Sequence, residues 1–129
     1  MRGIIIDDSS VIRTVASRIL SNHAGMTLLE APTARSGYDI CADSLPDLVL
    51  VDSDLPDEKG IELLEKITEL DHRGTSSVIL LLSEVDLSAI MRAKRAGAAG
   101  FLLKPFDRET VLDVLGPLLE HKSKLAAAA

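Results

Sequence analysis

The sequence is short of cysteine, of long apolar runs and of basic charge, and each shortage closes off a class of function. Cys41 is the single cysteine in 129 residues. That excludes a disulfide framework and a thiolate zinc site, and it reads as a core or half-buried thiol in a reducing compartment. No apolar stretch approaches the roughly 18 residues that a membrane helix needs. Asp7 and Asp8 interrupt any signal-peptide core near the N-terminus. A cytoplasmic protein with no membrane span is expected. The formal net charge is -6, whereas a nucleic-acid groove wants a basic face, so DNA is not an expected partner. The three histidines, His23, His72 and His121, fall at helix ends or in loops. They form no ligand set for zinc or iron and read as surface residues.

What the chain does have is apolar residues, 47% of the total, enough for one domain with a real core. They come in five short runs: GIIID near 3–7, MTLLE at 26–30, DLVLVD at 47–52, SVILLLS at 77–83 and GFLLK at 100–104. Each is too short for a helix and reads as a buried strand. The segments between them carry helical spacing. Val11, Ile12, Val15, Ala16, Ile19 and Leu20 mark one face of a first helix, with Ser9 or Ser10 as its N-cap. Residues 57–70, 86–96 and 107–121 repeat the pattern, and Gly116-Pro117 is expected to kink or weaken the last of these. Over 33–43 the helical signal is thinnest, because Gly37 lowers the propensity. The final KLAAAA reads as a low-complexity tail, either a frayed end or a segment added for expression. This sets a domain over 1–122 apart from a tail over 123–129.

Strict alternation of strand and helix implies an α/β protein: a doubly wound five-stranded parallel sheet, (βα)5, with helices on both faces. In such sheets ligands bind at the carboxyl ends of the strands. Asp7-Asp8, Asp52, Ser83 and Lys104 stand where the first, third, fourth and fifth apolar runs end, so they are expected on one rim. Three carboxylates there repel one another, raising at least one pKa, unless a cation lies between them. Mg²⁺ suits such a set: it takes hard oxygen ligands, one or two carboxylates plus a phosphate, and it keeps waters. An aspartate nucleophile, a metal, a lysine and a hydroxyl are the parts that phosphoryl transfer needs. Taken singly, each residue has a plainer reading. Asp7-Asp8 can cap a helix, Asp52 can sit in a turn, Ser83 can cap the 86–96 helix, and Lys104 can be solvated. Phe101 can be a core residue. Arg92, Lys94 and Arg95 can be a solvated face or a docking surface for an acidic partner.

IIIDDSSVIR, DLVLVDSDLPDEKGIELL, VILLLSE and RAGAAGFLLKPFD, taken in order, resemble the receiver domains of bacterial two-component response regulators. The resemblance runs from about residue 2 to 120 and leans toward the chemotaxis-type, single-domain branch. It implies a flavodoxin-like fold with strand order 2-1-3-4-5. It also implies phosphorylation of Asp52, with Asp8 a direct Mg²⁺ ligand, Asp7 holding the metal's water shell and Asp54 lending its backbone carbonyl. Ser83 is implied to swing in to the phosphoryl group, with Phe101 as the aromatic switch that follows it. Lys104 is implied as the lysine before a proline, in a bond usually cis. The implied partners are a sensor histidine kinase or phosphotransfer protein as donor, and an output protein reading the face around residues 84–105. No DNA-binding region follows residue 120, so output through protein contact is expected.

Three features depart from the family's pattern. Glu84 stands where many receivers carry a small residue, Asp54 stands where Asn or Met is frequent, and Pro32-Thr33-Ala34 replaces the usual acidic-Gly turn before the second helix. Two other functions stay open. One is a pseudo-receiver scaffold that never turns over phosphate. The other is an Asp-nucleophile phosphohydrolase of haloacid-dehalogenase type, with Asp52 as nucleophile and Asp54 as general acid.

Overall fold

The structure is a computed structural model and describes residues 1–128. Five strands alternate with five helices: β1 Arg2–Ile6, α1 Ser10–Ala24, β2 Thr27–Ala31, α2 Ala34–Asp43, β3 Leu48–Asp52, α3 Gly60–Leu70, β4 Ser77–Leu82, α4 Leu87–Arg95, β5 Gly100–Leu103 and α5 Arg108–Ala128. All strand pairs are parallel and the order is β2-β1-β3-β4-β5, the flavodoxin-like arrangement. The three inner strands are buried along nearly their whole length, which is why their sequences are unbroken apolar runs rather than alternating ones.

The two sides of the sheet hold separate cores. Ile4, Ile6, Val49, Val51, Val78 and Leu80 face α2, α3 and α4, where Cys41, Leu63, Leu64, Ile67 and Ala93 meet them. Ile5, Leu48, Leu50, Ile79, Leu81 and Leu102 face α1 and α5, against Ala16, Leu20, Val111, Leu115 and Leu119. Each such aliphatic side chain contributes about 2 kcal/mol by leaving water. The Cys41 thiol is buried there, its pKa pushed up to about 11 by burial, which leaves it inert.

Local details agree with the pattern at some positions and depart from it at others. MTLLE and GFLLK form edge strands, so Leu29, Phe101 and Leu103 are exposed instead of buried. Val11 also points to water. Ser9 caps α1 by accepting the Ile12 N–H at 3.3 Å. Ser83 does not cap α4; Asp86 does, accepting from the Ala89 N–H at 3.1 Å. α5 runs on past Pro117 through Ala128, so residues 123–128 continue the helix; Ala129 lies outside the described residues. Pro117 removes one N–H, while Leu115 and Leu119 stay buried around it and hold the helix to the sheet.

α2 forms despite Gly37 for two reasons. A Cβ at Gly37 would stand 2.5 Å from Ile6 Cδ1, so the glycine lets helix and strand approach closely. The start of α2 is also doubly held. Thr33 and Ser36 make a capping box. The Asp57 carboxylate, from the β3–α3 loop, accepts the Ala34 N–H at 2.9 Å and the Arg35 N–H at 3.0 Å. These two bonds hold the Asp57 pKa below the usual carboxylate range. A depressed folded pKa gives stability that is present above the ordinary carboxylate pKa and lost as pH falls through the folded value. Asp57→Ala is therefore expected to lower the melting temperature modestly at neutral pH, with the two proteins converging in acid. Thermal melts across pH check this; a constant gap at every pH would contradict it.

Candidate functional site

The rim at the carboxyl ends of the strands carries the site. β1 ends at Ile6, and Asp7 keeps its N–H in the sheet, donating to the Ala31 carbonyl at 3.0 Å. Asp7 and Asp52 are the two buried charged residues of the described chain, 0% and 3% exposed. Asp8, one residue on, faces solvent. Each of Asp7, Asp8 and Asp52 brings a carboxylate oxygen to within 4.8 Å of the others. Three hard, anionic donors so close, one open to solvent, fit a Mg²⁺ ion that retains waters.

Lys104 reaches this cluster from the end of β5. Its ammonium donates to Asp7 Oδ2 at 3.1 Å and to Asp52 Oδ1 at 2.8 Å, and its side chain is 12% exposed. The solvated reading of Lys104 is thereby excluded. Burial is the largest single influence on its pKa and pulls it down, but the two bonds and charges together outweigh burial and the pKa is raised. The Asp52 pKa is also raised, above all by burial, with Lys104 opposing and the charge of Asp7 adding a smaller push. The sequence pattern pointed to like-charge repulsion as a cause of a raised carboxylate pKa. Desolvation outranks it because the carboxylate ends a fully buried strand. Asp7 does serve its loop as well, since Oδ1 accepts the Ser9 N–H at 2.9 Å.

The other expected residues lie around this centre. Ser83 is exposed at the end of β4, and the Asp54 side chain also faces solvent, away from the three-carboxylate cluster. The Lys104-Pro105 peptide is cis. Phe101 is 37% exposed, which rules out the core reading. It lines a groove of about 260 Å³ with Ile90, Ala93 and Lys94. A larger groove of about 670 Å³ lies beside Asp52, walled by Ser53, Asp54, Lys59, Ser83, Glu84 and Leu87. Within the basic cluster of α4, Arg92 is engaged, donating to Glu65 of α3 at 2.6 Å. The three histidines are exposed.

Gly60 is a site residue that sequence reasoning passed over. A Cβ there would fall 1.8 Å from the Asp52 carbonyl oxygen. Its signal was a glycine eight residues past Asp52, at the start of a helix, where a capping residue is more usual.

A family model of the response regulator receiver domain matches residues 4–116. The chain belongs to the response regulator receiver family. This receiver is similar to sporulation initiation phosphotransferase F of Bacillus subtilis, 31% identical over 120 residues, covering 93% of this chain and 94% of that protein. It is similar to the chemotaxis protein CheY of the same organism, 28% identical, covering 92% and 97%. Among solved structures it is similar to a CheY-like receiver domain protein from Methanospirillum hungatei, with TM-score 0.84, 29% identity, and 95% and 96% of the two chains covered. Receivers are signalling proteins of two-component systems, not classical enzymes; they generally use Mg²⁺ and work with histidine kinases or phosphotransfer proteins and with output domains. Among the described residues no helix is long and apolar enough to cross a membrane.

Proposed function

We propose that this receiver accepts a phosphoryl group on Asp52 from a histidine kinase or phosphotransfer protein and signals by protein contact through the face around residues 84–105. The observation that carries this reading is the buried triad of Asp7, Asp52 and Lys104, with Asp8 at its open edge. An Asp52 carboxylate oxygen attacks phosphorus, the P–N bond of the phosphohistidine breaks, and the imidazole nitrogen leaves with the electron pair. The product is an acyl phosphate. Asp8, Asp52 and the Asp54 carbonyl are the ligands proposed for Mg²⁺, with Asp7 holding its water shell, and the ion when bound would offset charge on the transferring oxygens. The Lys104 ammonium, already 2.8 Å from Asp52 Oδ1, pairs with a phosphoryl oxygen and needs little reorganisation to do so.

Phosphorylation adds a charge of about -1.5 to -2 and strong acceptor oxygens. Ser83 moves inward to donate to one of them, and Phe101 turns into the groove beside α4. This changes a surface on which Val85, Leu87, Met91 and Phe101 are already exposed, and an output protein must bind the two states unequally to read it.

The test is intact-mass spectrometry after incubation with acetyl phosphate and Mg²⁺. One phosphoryl adduct is expected, absent in Asp52→Asn and absent with a chelator. No adduct on the wild-type chain from either acetyl phosphate or a phosphorylated donor protein would leave a pseudo-receiver. Multiple turnover of a phosphomonoester would make it a phosphohydrolase.

A further inference from the structure

We infer that Arg13 is a positioning residue for the metal-binding loop, holding the peptide between Asp7 and Asp8; this rests on reading the three carboxylates as the Mg²⁺ site. The β1–β2 ladder ends at the pair Ile6–Ala31, so the Asp7 carbonyl has no sheet partner beyond it. Arg13, one turn into α1, supplies one: its Nη1 donates to the Asp7 carbonyl oxygen at 2.7 Å. Its Nε donates to Glu30 Oε1 on β2 at 3.0 Å. The Arg13 side chain is only 17% exposed, so this is a packed fork rather than a loose surface pair.

The consequence falls on Asp8. The exposed Asp8 carboxylate has no side-chain hydrogen bond among the described residues. Its aim is set by the backbone that carries it, and the peptide just before it is the one Arg13 grips. Asp7 is fixed three ways, by its N–H on Ala31, by Lys104 and by Ser9. The Ser9 N–H on Asp7 Oδ1 holds the peptide after Asp8, and Arg13 holds the peptide before it. Such outer partners commonly hold a metal ligand in place.

The charge of Arg13 works the other way, because a cation near the cluster opposes another cation. Substitutions that keep a cation at position 13 therefore isolate the grip on the loop from the effect of the charge. Arg13→Lys keeps the charge but cannot span both partners, whereas Glu30→Gln keeps the arginine and loosens one arm of the fork.

The experiment is calorimetric titration of Mg²⁺ into the full chain, with thermal melts and hydrogen exchange of the amides at 8–10 in metal-free buffer. Arg13→Lys is expected to weaken Mg²⁺ binding about tenfold and to speed exchange at 8–10. Its melting temperature should stay close to wild type. Glu30→Gln should move both readings the same way by less. Unchanged affinity in Arg13→Lys would overturn the role of Arg13, as would weakening matched by general loss of the fold. If the wild-type chain itself takes up no Mg²⁺, the metal-site reading fails instead, and the exchange rates at 8–10 still report whether Arg13 holds the loop.

Discussion

Lys104→Met is expected to destabilise the metal-free protein by about 3 kcal/mol, a fall in melting temperature of about 10 °C for a chain of this size. The ammonium lies 3.1 Å from Asp7 Oδ2 and 2.8 Å from Asp52 Oδ1, and both carboxylates are buried. Removing it leaves two acids facing each other without a counter-charge, which is far more costly than losing an exposed pair. The lysine's own raised pKa means that its contribution is complete below the ordinary lysine range and is lost only as pH rises through the raised value. At neutral pH the wild-type protein keeps all of it.

In the variant the balance passes to the acids. The Asp52 pKa is already raised and rises further without the lysine. A carboxylate whose folded pKa is raised penalises the folded state while it is charged, so the variant's stability is expected to improve as pH falls through the raised Asp52 value toward the ordinary carboxylate range. Mg²⁺ should recover part of the deficit, because a divalent ion neutralises the same carboxylates and binds only the folded chain. Urea melts across pH, with and without Mg²⁺, check this. A deficit indifferent to both would mean that Lys104 acts through packing alone. Phosphoryl incorporation on Asp52 is expected to slow about a hundredfold, the scale of losing one preorganised charge at a reacting oxygen.

Gly60→Ala is expected to strike the same site through the backbone. A Cβ at position 60 would lie 1.8 Å from the Asp52 carbonyl oxygen, 2.7 Å from its carbon and 2.8 Å from Ser53 Cα. Main chain cannot swing aside as a side-chain tip can. The Gly60 N–H also donates to the Ser53 carbonyl at 2.9 Å, so α3 cannot back away without breaking that bond. The cost expected for such overpacking is about 3 kcal/mol. Asp52 must shift with its carbonyl, and a displacement of about 1 Å at a reacting group slows chemistry by about a hundredfold. Gly116→Ala makes the same chemical change where nothing lies within 4 Å, and should leave stability within about 1 kcal/mol and incorporation near wild type. Equal behaviour of the two variants in melts and mass spectra would contradict the close approach.

The elements themselves were legible in the sequence because their signals are local. A run such as LVLVD is too short and too apolar to be anything but an inner strand, and its period differs from that of the helices beside it. Strand-end position then put Asp7, Asp8, Asp52, Ser83 and Lys104 on one rim, since parallel strands all end on the same side. The strand order came from family resemblance, because alternation alone does not say which strand neighbours which.

Tertiary structure decided what each rim residue experiences. Lys104 meets Asp7 across 97 residues of chain, and no local pattern encodes that meeting. It depends on β1, β3, β4 and β5 lying side by side in one register. The same holds for Asp57 on the start of α2, Gly60 against the Asp52 carbonyl, and Arg13 beneath the Asp7–Asp8 peptide. Which apolar runs became edge strands, and so left Leu29 and Phe101 in water, was likewise settled by neighbours. Periodicity within a segment reports which face is apolar; only the packed sheet determines what that face, and each charge at its end, finally touches.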